Sequence, residues 1–205
     1  MKISVSVLKE KDNLEEVIGK LQSTSCDYIH LDIMDSTFTE TSSFSLEEIN
    51  NIQTSKKYDI HIMSTNLEYQ IKKAIELKPE YITFHVEATK EVNKYIDVIK
   101  NSGIKVGLAF NPNTSIWKIR KYLKNIDLVL VMSVFPGKGG QKFIPSVLKK
   151  IKKLKKMKNN YMISIDGGIN NETIEFVKEY IDIVVSGSYI TDSDNYENKI
   201  ILLKK

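Results

Sequence analysis

A single cysteine, Cys26, stands among the 205 residues, so no disulfide can form within the chain and a reducing compartment is the simpler home. No apolar run is long enough to cross a membrane, and no charged leader or cleavage signal precedes the alternating stretch Ile3 to Leu8. The expectation is a cytoplasmic protein with no membrane partner. Aromatic residues are missing from the densest basic run, Lys149 to Lys158 (KKIKKLKKMK), so the net charge of +4 does not read as a nucleic-acid stripe. Ile151, Leu154 and Met157 recur there every three residues, which predicts an outer helix with a solvated basic face. Histidine is scarce, with three in the chain, and no G-x-G-x-x-G follows a first strand. Nothing marks a disordered segment or a domain boundary, and a hydrophobic content of 41% is enough to bury the core of one domain spanning 1–205.

What is present is an alternation of short apolar runs with longer amphipathic ones. Strands are expected at Ile3 to Leu8, Tyr28 to Ile33, Asp59 to Met63, Tyr81 to His85, Lys105 to Ala109, Leu128 to Met132, Met162 to Ile165 and Ile183 to Val185. Helical spacing occupies Leu14 to Leu21, Leu46 to Ile52, Leu67 to Leu77, Glu91 to Lys100, Ile116 to Leu123, Pro145 to Met157, Thr173 to Tyr180 and Tyr196 to Leu203. Asn113-Thr114, Asn170-Asn171 and Asp192 to Asp194 offer helix caps. Eight strand and helix pairs predict a closed (β/α)₈ TIM barrel with nearly minimal loops, since such barrels typically need roughly 250 residues. An open doubly wound sheet is the alternative.

Barrels of this type place their chemistry at the carboxyl ends of the strands. Ser6, His30 with Asp32, His61, His85 with Glu87, and Asp166 fall there, so every histidine of the chain ends a strand. Alternation along a strand puts His30, Asp32 and Met34 on one face. Neutral imidazoles from His30 and His61 with carboxylates from Asp32 and Asp166 would make a mixed nitrogen and oxygen site for one divalent metal, zinc, iron, manganese or cobalt. Such a metal polarises a carbonyl and stabilises the enediolate left when the adjacent carbon loses its proton. Two carboxylates on opposite sides could exchange that proton, one as base and one as acid.

Glycine turns form a second constellation. Pro136 to Gln141 (PGKGGQ) follows the sixth strand, Asp166-Gly167-Gly168 ends the seventh and Ser186-Gly187-Ser188 ends the eighth. Their backbone N–H groups suit a phosphate, and the loops after the seventh and eighth strands are its usual place in this barrel. Met34, Met63 and Met132 also close strands, where they line the site or fill the core.

In order along the chain, His30-Leu31-Asp32-Ile33-Met34-Asp35, His61-Ile62-Met63, Phe84-His85-Val86-Glu87-Ala88, Asn111-Pro112, Pro136 to Gln141, Asp166-Gly167-Gly168-Ile169 and Ser186-Gly187-Ser188 resemble the ribulose-phosphate 3-epimerase family. The resemblance runs from Ser6 to about Ile190. It implies a metal-dependent isomerase, a homo-oligomer, that interconverts D-ribulose 5-phosphate and D-xylulose 5-phosphate by inverting carbon 3. By position, His30, Asp32, His61 and Asp166 match the family's metal ligands, with zinc first among the candidates. Asp32 and Asp166 match its acid and base. Ser6, His61, Gly137, Lys138, Gly139, Gly140, Asp166, Gly167, Gly168, Gly187 and Ser188 match its substrate contacts.

The chain departs from the family pattern in several places. It reads Asp35-Ser36-Thr37-Phe38-Thr39-Glu40-Thr41 where a glycine and a Pro-Asn pair are usual, and it has Val5, Lys138 and Ser64 to Leu67 at other characteristic positions. The altered 36–45 loop leaves a six-carbon ketose phosphate such as allulose 6-phosphate as a rival substrate. A sugar-phosphate lyase or decarboxylase is a further rival, without the Asp-x-Lys-x-x-Asp run those relatives carry. A barrel kept only for binding is the reading outside enzymology.

Overall fold

In the computed structural model of the chain, which describes residues 1–157 and 160–205, eight parallel strands close on one another in chain order. They are β1 (Lys2–Ser6), β2 (Tyr28–Met34), β3 (Lys57–Met63), β4 (Tyr81–His85), β5 (Lys105–Phe110), β6 (Leu128–Met132), β7 (Met162–Asp166) and β8 (Ile183–Ser186). The connections carry α1 (Leu14–Gln22), α2 (Leu46–Asn50), α3 (Leu67–Glu76), α4 (Val92–Asn101), α5 (Trp117–Arg120), α6 (Leu148–Met157), α7 (Ser188–Thr191) and α8 (Tyr196–Lys204). The expected TIM barrel is therefore present, and β1 pairs with β8 to complete it.

Several elements differ from their sequence expectation. β1 stops at Ser6, because Leu8–Glu10 turns into a 3₁₀ segment. Only Trp117–Arg120 of the stretch Ile116 to Leu123 is α-helical, and Tyr122 and Leu123 continue in turns bonded three residues back. Thr173 to Tyr180 is likewise a 3₁₀ turn, Thr173–Phe176, followed by further three-residue bonds from Val177 and Tyr180. Its buried Ile174 and Val177 lie three apart, a spacing that suits the 3.0-residue turn better than the 3.6-residue one. The last helix takes its cap from Asn195, which accepts from the Asn198 N–H, rather than from Asp192 to Asp194. Asn170 does cap, accepting from the N–H groups of Glu172 and Thr173.

The basic run is less solvated than its composition suggests. Lys150 folds inward to donate to the carbonyls of Pro112 and Thr114, and Lys153 and Lys152 lie over the rings of Trp117 and Tyr180. Lys158, the last lysine of that run, lies outside the described residues.

Strand alternation sorts the side chains into two cores. Ile29, Leu31 and Ile33 of β2 and Ile60 and Ile62 of β3 face outward into the layer between strands and helices. The opposite parity fills the barrel. Tyr28, Tyr81, Leu128 and Ile183, one from each even strand, form its floor. Above the floor the β1 to β4 side is polar, with Ser4, Ser6, His30, Asp32, Asp59, His61, Thr83 and His85 all buried. Across the barrel Ala109, Leu130, Met132 and Val185 form an apolar wall.

Close packing inside fixes Gly107 of β5. A Cβ there would lie 2.1 Å from Thr83 Oγ1 and 2.9 Å from Thr83 Cβ. Gly107→Ala is expected to destabilise the protein by about 1–3 kcal/mol, the usual cost of overpacking. Adding Thr83→Ala should restore part of the loss in a double-mutant cycle of denaturation midpoints; strictly additive effects would show that the two side chains do not compete for one space.

Candidate active site

Parallel pairing of β2 with β3 puts His30 opposite Asp59 and Asp32 opposite His61. All four side chains point inward, so each imidazole meets a carboxylate from the neighbouring strand. His30 Nδ1 lies 2.9 Å from Asp59 Oδ2, which also accepts from Ser4 Oγ at 2.9 Å. With the Asp59 carboxylate holding a proton on Nδ1, His30 presents Nε2 to the barrel mouth. That nitrogen is buried without a hydrogen-bond partner, 3.4 Å from Asp32 Oδ1.

The same Asp32 oxygen is 3.0 Å from His61 Nδ1, which in turn is 3.8 Å from Asp166 Oδ2 on β7. One donor atom from each of His30, Asp32, His61 and Asp166 thus falls within 4.8 Å of all the others. An unpartnered imidazole nitrogen facing two carboxylates is a poor arrangement for neutral contacts and a good one for a cation. The mixed nitrogen and oxygen set fits a divalent metal of the zinc, iron, manganese or cobalt type. Asp32 Oδ2 points away from this centre and accepts from Ser6 Oγ at 2.7 Å.

The electrostatics push the two carboxylates apart. Burial would raise Asp32, but His30 and His61 beside it outweigh that and hold it below the usual carboxylate range. Asp166 has no such neighbour in hydrogen-bond contact, and burial, with the Asp32 charge added, pushes it up to about 7. Burial lowers His61, whereas for His30 the flanking Asp32 and Asp59 charges overcome burial and hold it well above its ordinary value. One carboxylate ionised and one able to carry a proton near neutrality is the division of labour that acid and base chemistry requires.

Above the cluster opens a cavity of about 620 Å³. Ser6, Asp32, Asp166, Met63 and Met132 line its inner part. Its outer part is lined by Gly137, Lys138, Gly139, Gly140, Gly167, Gly168, Gly187 and Ser188, so the glycine turns after β6, β7 and β8 meet in one place. Gly167 and Gly168 both hold positive φ, at 118° and 66°, and a Cβ on Gly168 would lie 2.5 Å from the backbone nitrogen of Phe143. No other residue fits that turn. His30 and His61 are fully buried beneath the cavity. Met34 is not on its wall; it is buried with its sulfur 3.7 Å from Thr41 Oγ1. The hydroxyl of Thr41, in the altered loop after β2, donates to the Gly137 carbonyl.

Two residues of this region escaped the sequence reading. Asp59 was visible as an Asp-x-His on one strand face, the reverse of His30-x-Asp32, but it lies too deep to be a strand-end residue. Lys9 lines the cavity beside Gly139 and Gly140 and pairs with Asp192 at 3.2 Å; only the unexpected turn after β1 brings it there.

The raised His30 makes the metal-free protein sensitive to alkali. Its proton leaves the unfolded chain near 6.5 but is kept to higher pH in the fold, so its stabilisation is complete below 6.5 and lost as pH rises through the folded value. Asp166, raised to about 7, acts with the same sign, and His61 and His85, lowered, act below this window. The melting temperature of chelated protein should therefore fall as pH rises above 6.5, and saturating zinc, which replaces that proton, should flatten the fall. A melting temperature independent of pH in that range would refute the assignment.

Known proteins resemble this chain along most of its length. The model of the "Ribulose-phosphate 3 epimerase family" matches residues 2–191. The ribulose-phosphate 3-epimerase of Buchnera aphidicola subsp. Baizongia pistaciae is 40% identical over 193 residues, covering 89% of this chain and 84% of its own. That of Methanocaldococcus jannaschii is 36% identical over 213 residues, covering 100% of this chain and 90% of its own. Among solved structures, KGPDC from Streptococcus mutans superposes with a TM-score of 0.70 at 15% identity, over 99% of this chain and 95% of that one, a likeness of fold. With a family match across nearly the whole chain and relatives at these identities, the chain belongs to the ribulose-phosphate 3-epimerase family.

Proposed function

We infer that the chain, working as one barrel domain, is an isomerase that interconverts D-ribulose 5-phosphate and D-xylulose 5-phosphate by moving a proton at carbon 3. The observation that carries this reading is the convergence of two imidazoles and two carboxylates directly under a cavity rimmed by glycine turns. Family membership supplies the sugar.

His30, Asp32, His61 and Asp166 would hold one divalent cation, zinc first by its preference for such ligands. Bound there, it would supply Lewis-acid polarisation of the ketose carbonyl and charge stabilisation for the enediolate. The protons are the chain's own work. Asp32, held ionised and oriented by Ser6, is suited to take the carbon 3 proton from one face. Asp166, carrying a proton near neutrality, is suited to return one on the other. In the reverse direction the two exchange roles. Met63, Met132 and the apolar wall beside them keep water from the enediolate. Backbone N–H groups of Gly137, Gly139, Gly140, Gly167, Gly168, Gly187 and Ser188, with the Lys138 charge, would bind the phosphate, and Ser6 would contact the sugar end; His61, expected to share that contact, lies buried beneath the cavity with both nitrogens engaged. A sugar phosphate of this kind, a homo-oligomeric assembly and a cytoplasmic setting without nucleic-acid or membrane partners complete the reading. Among the described residues, no helix is long and apolar enough to cross a membrane.

Purified protein should epimerise D-ribulose 5-phosphate, lose activity on chelation and regain it with zinc, iron, manganese or cobalt. Inactivity with every metal, alongside turnover of a six-carbon ketose phosphate, would move the substrate assignment to the larger sugar. Asp166→Asn should cut kcat by roughly 10²–10⁴-fold, the usual worth of a positioned acid or base, with the circular dichroism spectrum unchanged. Near-normal turnover in that variant would refute the two-carboxylate mechanism.

A further inference from the structure

Beyond the four clustered residues, the barrel holds a buried chain that runs away from them. His61 Nε2 lies 2.9 Å from His85 Nε2, and His85 Nδ1 lies 3.2 Å from Glu87 Oε2. Glu87 Oε1 accepts from the Asn111 N–H at 2.9 Å and from the Thr114 hydroxyl. Lys150 pins the loop that supplies these donors, through the carbonyls of Pro112 and Thr114. His85 is fully buried, meeting His61 nearly end to end with ring centroids 5.0 Å apart, and its centroid lies 4.7 Å from that of Phe38.

The chain from Glu87 through His85 and His61 to Asp32 has three gaps, each requiring a proton between its two acceptors. Two neutral imidazoles bring only two. Glu87, an acceptor on both oxygens, decides where they go. It draws the His85 proton to Nδ1, which leaves the His85 Nε2 lone pair facing His61. Two lone pairs facing each other at 2.9 Å would repel, so His61 then carries its proton on Nε2 and turns the lone pair of Nδ1 toward Asp32 and Asp166. The unfilled gap thus falls at the carboxylates, where a cation completes it.

We propose that His85 and Glu87 are positioning residues that set the tautomer of His61, and so build the cation site from a distance. The proposal rests on reading the cluster as a metal site. Partners of this kind, holding the far nitrogen of a ligating histidine, typically change metal affinity by about 10–100-fold. His30 achieves the same result directly through Asp59, whereas His61 does so through an intervening imidazole.

The test is zinc affinity of metal-free protein, read by competition with a chromophoric chelator, in Glu87→Gln and Glu87→Ala. In Glu87→Gln the Asn111 and Thr114 donors hold the amide oxygen in place, so its NH₂ faces His85 Nδ1. Every proton in the chain must then reverse, which puts one on His61 Nδ1. Glu87→Ala only removes the instruction. Affinity should fall in the order unaltered protein, Glu87→Ala, Glu87→Gln, the last by about 10–100-fold. A packing role predicts the opposite order, since glutamine is nearly isosteric, and that order or equal affinities would overturn the proposal. Nitrogen-15 correlation spectra of the unaltered protein, which need no variant and no metal, should find His85 protonated on Nδ1 and His61 on Nε2; the converse tautomers would overturn it. Failure of the unaltered protein to bind zinc would instead refute the metal-site reading, and the tautomers would still decide the polarity of the chain.

Discussion

The register between β2 and β3 is the constraint on which the rest of the site depends. Because the strands are parallel and paired His30 to Asp59 and Asp32 to His61, imidazole and carboxylate alternate both along each strand and across the pair. A slip of β3 by one residue would turn Asp59 and His61 outward into the helix layer and bring Ile60 and Ile62 into the barrel. The outer core resists that slip: Ile29, Leu31, Ile33, Ile60 and Ile62 are each at most 2% exposed. Apolar packing on one face of the sheet therefore fixes the electrostatics on the other.

Burying so much polarity is costly unless each group finds a partner. Ser4 and Ser6 donate to one oxygen each of Asp59 and Asp32, Asp59 holds Nδ1 of His30, and His85 with Glu87 partners Nε2 of His61. Among the described residues, Asp59 Oδ1, Thr83 Oγ1 and Ser164 Oγ on the neighbouring strands are unpartnered buried atoms, as is His30 Nε2 where the ligand-type atoms converge. Opposite them, the wall of Ala109, Leu130, Met132 and Val185 offers Asp166 no hydrogen-bond partner, and that indifference is what keeps its proton available.

Much of this was legible in the sequence, for reasons that can be named. Strand alternation and strand-end position identified His30, Asp32, His61 and Asp166, because a barrel converts those two properties into inward direction and common depth. The glycine turns were legible because Gly167 and Gly168 adopt backbone angles other residues avoid. The 3₁₀ turns at Thr173–Phe176 and after Ser6 were not, since an apolar spacing of three is compatible with either helix type until packing chooses. Asp59 and the link from His61 to His85 were hidden for a different reason. They are contacts between strands, and their significance lies in how protons are distributed among them, which no single segment carries.

The floor of the barrel sets how the site communicates with solvent. Tyr28, Tyr81, Leu128 and Ile183 are each at most 4% exposed, and the two tyrosine rings meet edge to face at 5.8 Å. With that end plugged, an ion, a proton or a sugar phosphate bound for the cluster would come through the mouth above it. A molecule seated in the mouth is also a stopper, so whatever occupies the cluster is retained for the length of each residence. Exchange of an ion held there would be a matter of timing between visits rather than of binding strength alone.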